Sequence, residues 1–146
     1  MIAADTIAAF DKYSVLSERE LESRYEVWLE QYAVKANIEA ETGQSIAQTM
    51  ILPAAIRYVI LAKEAGVDKL ANEVSELVDE LTFELDKLKE ANDVPEGTEG
   101  LDLAVYARDN QLAALDGVRT VVDKLERTLP DDMWPLPKYS EVLFLR

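Results

Sequence analysis

The chain has 146 residues and a formal net charge of −14; 49% of it is apolar, with five Gly, five Pro, no Cys and no His. That length and apolar content support one domain with a real core and exclude a disordered acidic tail. The acidity opposes nucleic acid or an anionic membrane as partner, and the missing Cys and His remove disulfides, thiolate nucleophiles and Ser-His-Asp triads.

Residues 1–16 read as a leader and connector: Ile2 to Phe10 is a short, Ala-rich, fraying turn of helix. With no basic residue in the first ten and only a short apolar run, they do not form a signal peptide. No segment approaches about 18 uninterrupted apolar residues, so no transmembrane helix is expected. The location expected is cytoplasmic.

Ser17 opens a helix. Its hydroxyl can accept from the amide of residue 20 while Glu20 reaches back to the amide of Ser17, a capping box. Glu18, Glu20 and Glu22 put negative charge where the helix dipole favours it. Leu21, Tyr25, Trp28, Leu29 and Tyr32 follow at spacings of three and four, which makes one apolar stripe. The pattern continues through Ala33, Ala36, Ala40, Ala47, Met50, Ile51, Ala54, Ala55, Tyr58 and Leu61. The expectation is one helix over 17–65, roughly 70 Å long, with a risk of a break at Gly43 and a kink near Pro53.

Gly66 is a stop signal and Asp68 a candidate cap for a second helix over 68–92. Its heptad-like stripe is Leu70, Val74, Leu77, Leu81 and Leu88, with Leu85 beside the seam. Residues 92–100 are dense in turn formers and read as a loop. A third helix is expected over 101–129, with the stripe Leu101, Val105, Leu112, Leu115, Val118, Val122, Leu125 and Leu129. The pairs Asp116–Arg119 and Asp123–Arg127 support it from the other side.

Pro130 ends that helix, and Pro135 and Pro137 predict an extended tail over 130–146. Trp134, Leu136, Tyr139, Val142, Leu143, Phe144 and Leu145 give the tail more apolar surface than a free end tolerates, so it is expected to dock. The fold class expected is all-α: three long helices, the first bent, with a docked tail. Helix one outruns the other two, so its aromatic half needs a partner. The candidate interface is Tyr25, Trp28, Leu29, Tyr32, Trp134, Leu136, Tyr139, Leu143 and Phe144.

No residue pattern argues for catalysis or cofactor binding. The rows Glu18–Glu22–Glu26–Glu30 and Glu73–Glu76–Glu80–Glu84 are read as solvated faces. Di-metal carboxylate bundles use Glu-x-x-His ligands, and there is no calcium-loop pattern. Gly97 and Gly100 lie in an acidic loop that would repel phosphate. Asp131-Asp132 reads as a solvated turn, and Arg57 beside the Pro53 kink as a structural or interface cation.

Three stretches carry a resemblance: Ser17 to Tyr32, Met50-Ile-Leu-Pro-Ala-Ala-Ile-Arg-Tyr58, and Trp134-Pro-Leu-Pro-Lys-Tyr-Ser-Glu-Val-Leu-Phe-Leu-Arg146. In this order they resemble the region that follows the catalytic domain in type III glutamine synthetases. The resemblance implies a non-catalytic C-terminal accessory domain with a structural or assembly role. It implies a parent enzyme that joins ammonia to glutamate, using ATP and a divalent metal (Mg or Mn) through a γ-glutamyl phosphate, and that assembles as a double-ringed homo-oligomer. The partners it implies are the catalytic domain and neighbouring subunits. None of the catalytic, nucleotide or metal motifs is present here. The alternative is a stand-alone helical adaptor that self-associates through helix one.

Overall fold

The computed structural model describes residues 2–143, with the backbone alone at Tyr139 and Ser140. Among these residues there are seven α-helices, two π-helical segments and no strand, so the chain is all-α. The α-helices are α1 (Ala4–Lys12), α2 (Glu18–Ile46), α3 (Leu52–Glu64), α4 (Asp68–Asn92), α5 (Gly100–Tyr106), α6 (Ala113–Thr128) and α7 (Tyr139–Leu143). The π-helical segments are Ala47–Ile51 and Ala107–Leu112.

Helix one is continuous from Glu18 to Glu64, 47 residues. Its capping box forms: the Ser17 amide donates to Glu20 at 2.8 Å, and the Glu20 amide donates to the Ser17 hydroxyl at 3.4 Å. Gly43 does not break it. A Cβ there would press on the Leu115 side chain of α6, so the glycine leaves the room that this leucine fills. The disturbance expected at Pro53 is a π-turn. The Leu52 amide donates to the Ala47 carbonyl, five residues back, and the widened turn makes room for the proline ring where the carbonyl of Thr49 would otherwise stand. Pro53 then sits in the first turn of α3, where a missing donor costs least.

Helix one ends in a Schellman turn. Val67 donates to Ala62 and Gly66 to Lys63, with Gly66 at φ +72°. Asp68 is the first residue of α4 and does not cap it; the cap position is Val67, without a side-chain bond. The next loop turns at Gly97, φ +80°, with Thr98 donating to Pro95, a turn that needs a glycine at that position.

The chain runs up helix one, down α4, and up again through α5 and α6. Gln111 meets Asn37 and Leu115 meets Gly43, so the third rod is parallel to the first. Lys124 meets Glu80 and Tyr106 meets Ala91, so it is antiparallel to α4. α3 and α6 both lean on α4, while α5 and the second π-segment lie along α2. The core joins Ala47, Ile51, Ala54 and Ala55 of the first rod to Val74, Leu81, Leu85 and Leu88 of α4 and to Val118, Val121 and Leu125 of α6. Because α4 is covered from two sides, its buried face is wider than a heptad seam. Leu85, expected beside the seam, lies within the core.

Two further expectations change. In the third rod Leu101 and Val105 are exposed, while Ala104, Ala107 and Gln111 are buried. The buried stripe of the third rod, Ala104, Ala107, Gln111, Val118, Val121 and Leu125, keeps spacings of three, four and seven and lies beside the expected one. The tail is extended only in part. Leu129 is extended before Pro130, the conformation that a following proline favours. Past Pro137 nothing opposes helix, and α7 forms with the Lys138 amide donating to Glu141 at 3.0 Å.

Helix one has no uninterrupted apolar run of about 18 residues, yet it is strongly apolar on average. An 18-residue window within it has a mean hydropathy of 1.5, enough by length and composition to cross a membrane, and 28% of that window is buried inside the fold. The buried part includes Ala54, Ala55 and Ala62 of α3, the helix that packs on α4.

Candidate docking surfaces

The first surface is the N-terminal half of helix one. Leu21 is buried at the end where α1 packs on α2. Tyr25 and Leu29 are half-buried. Trp28 is 55% and Tyr32 41% exposed. Val27, Val34 and Ile38 are exposed too. Beyond Leu21, the buried residues of α2 are small, Ala33, Ala36 and Ala40, and the elements along it, α5 and the second π-segment, bury Ala104 and Ala107. The large side chains are left in solvent, an arrangement typical of contact surfaces.

The second surface is a groove of about 400 Å³ between helix one, α6 and the tail. Ile46, Ile51, Leu115, Val118 and Val122 line it, and Trp134 and Leu136 enter it from the tail. Trp134 is 8% exposed and belongs to the core cluster; Leu136 packs against that cluster. Among the described residues the buried Trp134 indole Nε1 has no hydrogen-bond partner. The fold of the tail is held by Lys138, whose ammonium donates to the Leu129 carbonyl at 3.1 Å and pairs with Asp131. Leu143 is exposed. The backbone of Tyr139 begins α7, and Phe144 lies outside the described residues. The nine proposed interface residues therefore separate: an exposed aromatic set on helix one, and a tail set whose Trp134 and Leu136 are already engaged by this chain.

A polar cluster escaped the sequence reading. Gln111, 1% exposed, donates to Asn37 at 2.7 Å and to Asn92 at 3.3 Å. Asn92 donates to Gln44 at 2.7 Å. The chain of amides ties all three rods together beside the second π-turn. Its signal was present: Gln111 stands four residues after Ala107 and four before Leu115, on the apolar side of its helix.

The acidic rows are surface features. Glu73 pairs with Lys69, Glu84 with Lys87 and Glu80 with Lys124, and Glu18, Glu22, Glu26 and Glu30 are exposed. Among the described residues no three acidic side chains converge in a way that could hold a metal ion. Arg57 is exposed. The Arg108 guanidinium donates to Asp109 and holds its carboxyl below the usual carboxylate value, while the pair raises the arginine.

The fold thus defines an acidic, all-α unit in which uncovered apolar surface, rather than a cluster of reactive groups, is the prominent feature. Comparison with known proteins agrees with the resemblance. Residues 1–69 match the model of the family described as "Glutamine synthetase C-terminal domain". The chain is 28% identical over 151 residues to a glutamine synthetase of Bacteroides fragilis (strain YCH46), covering 90% of this chain and 21% of that protein. It is 28% identical over 160 residues to the type-3 glutamine synthetase of Dictyostelium discoideum, covering 96% and 22%. It is 29% identical over 158 residues to a glutamine synthetase of Butyrivibrio fibrisolvens, covering 98% and 23%. The chain spans little more than a fifth of the length of these relatives. The resemblance read from the sequence is borne out.

Proposed function

We propose that the chain serves as the non-catalytic accessory domain of a cytoplasmic type III glutamine synthetase, a homo-oligomer that makes glutamine from glutamate, ammonia and ATP with a divalent metal. Its part is to brace the catalytic body and the contacts between subunits. The observation that carries the reading is the uncovered aromatic end of helix one, with Trp28 and Tyr32 in solvent at the place where the bundle thins. The similarity to relatives named as glutamine synthetases, whose length is mostly outside this chain, supplies the partner.

The test replaces Trp28→Ser and Tyr32→Ser together in the full-length enzyme. Sedimentation should show smaller assemblies, and activity should fall with assembly. Unchanged assembly and activity would remove the aromatic face from the reading. If the 146-residue chain alone formed concentration-dependent oligomers that the same substitutions abolished, the self-associating adaptor would take its place.

A further inference from the structure

We propose that the cleft between α2, the loop over 93–99, α5 and the second π-segment binds a small neutral molecule, an N–H or O–H donor carried on a compact apolar body. The proposal goes beyond the accessory role and does not rest on it.

An amide with one end left over marks the place. Asn92 Nδ2 donates to Gln44 at 2.7 Å, and Asn37 Nδ2 donates to the Glu41 carboxylate at 3.0 Å. Both asparagines therefore turn their carbonyl oxygens to Gln111. Its Nε2 uses both hydrogens on them, at 2.7 Å and 3.3 Å. Gln111 Oε1 remains, and among the described residues no donor reaches it. The side chain is 1% exposed and lines the cleft, so the cleft is where a donor can meet it. An acceptor so nearly buried costs stability until something donates to it. Gln111 also stands in a π-turn that no proline explains, and single π-turns are frequent at functional sites.

The walls fix what the donor is attached to. The cleft holds about 380 Å³, at the small end of the roughly 300–1,000 Å³ usual for ligand sites. Val34 and Ile38 of α2, Val94 of the loop and Leu103 of α5 form its sides, and none of the described lining residues is charged. A charged ligand would lose hydration with no countercharge to meet it. Water alone would satisfy the oxygen and leave four aliphatic walls wet. A compact apolar molecule with one donor answers both. Val34 is 52% and Ile38 56% exposed, so the rim is open and entry requires no unfolding.

Indole and N-methylindole are the probes, the same ring with and without its N–H donor. Indole is titrated into the whole chain while Val, Leu and Ile methyl groups are followed by NMR. It should give saturable shifts at Val34, Ile38, Val94 and Leu103 and none at Ile56 or Ile60 of α3. N-methylindole should bind several-fold more weakly, because the hydrogen bond to Oε1 is lost. Ile38→Glu, a surface change that leaves the core untouched, should weaken indole binding several-fold with little change in thermal unfolding. The proposal is overturned if indole gives no saturable shift, if N-methylindole binds as tightly, or if Ile38→Glu leaves binding unaltered. Shifts that extend equally to Ile56 and Ile60 overturn it too, since they mean indiscriminate contact with apolar surface. So do cleft methyls that shift with protein concentration alone, which would give these walls to a second copy.

Discussion

Ser17 and Glu20 show how much a single pair can decide. Glu20 accepts from the Ser17 amide and hydroxyl, and those bonds, the backbone one first, hold its carboxyl below its ordinary value of 4.5. A group whose folded pKa is depressed adds stability above its unfolded pKa and loses it as pH falls through the folded one. Ser17→Ala removes the hydroxyl that accepts from the Glu20 amide, and loss of that cap should cost about 1 kcal/mol at neutral pH. It should show as faster hydrogen exchange in the first turn of α2, and the difference from the unaltered chain should shrink once acid protonates Glu20. Gln111 is the opposite case, a residue whose weight comes from burial. Gln111→Leu strands Asn37 and Asn92 and should cost about 1–3 kcal/mol in urea unfolding. A smaller loss would mean that the amide chain is dispensable. The capping box was legible because it is local. The role of Gln111 was not, because its partners lie 74 and 19 residues away.

At the scale of the element, helix one carries a π-turn where Pro53 needs space in the turn before it. A π-turn holds about one residue more than an α-turn, so it shifts the phase between α2 and α3. Deleting the exposed Gln48 together with Pro53→Ala should return a regular helix that keeps both faces inward, with the helical circular dichroism undiminished. Deleting Gln48 while Pro53 remains should cost about 3 kcal/mol, because the ring then meets the carbonyl of the preceding turn. Equal stability of the two deletions would show that the proline is not what the turn accommodates. Sequence reasoning located the disturbance near Pro53 and the stop at Gly66 from residue chemistry alone. It misread the start of the third rod, where no proline or glycine marks the π-turn over 107–112.

Across the whole molecule, the apolar surface divides into what the chain covers itself and what it leaves open. Trp134 belongs to the first kind: Trp134→Ala should lower unfolding stability by about 3–5 kcal/mol. Trp28 and Tyr32 belong to the second. Trp28→Ser with Tyr32→Ser should change the stability of the isolated chain by no more than about 0.5 kcal/mol, even where it impairs assembly of a larger enzyme. Thermal unfolding of the two variants side by side checks both expectations. A large loss from the Trp28 and Tyr32 pair would mean that this end of helix one is a fold element and not a docking face.

The sequence by itself determined the helical class, the capping of helix one, the turn at Gly66 and the family resemblance, since each depends on residues close together in the chain or on a recognisable string. Only the tertiary structure decided which apolar positions are core. Leu85 is buried because α4 is flanked on two sides, Leu101 and Val105 are exposed because α5 turns Ala104 inward, and Trp134 is buried because the tail folds back. Tertiary structure also assembled the Gln44–Asn92–Gln111–Asn37 chain from three rods. Periodicity states that a side of a helix is apolar; only packing fixes which helix, at what register, comes to cover it.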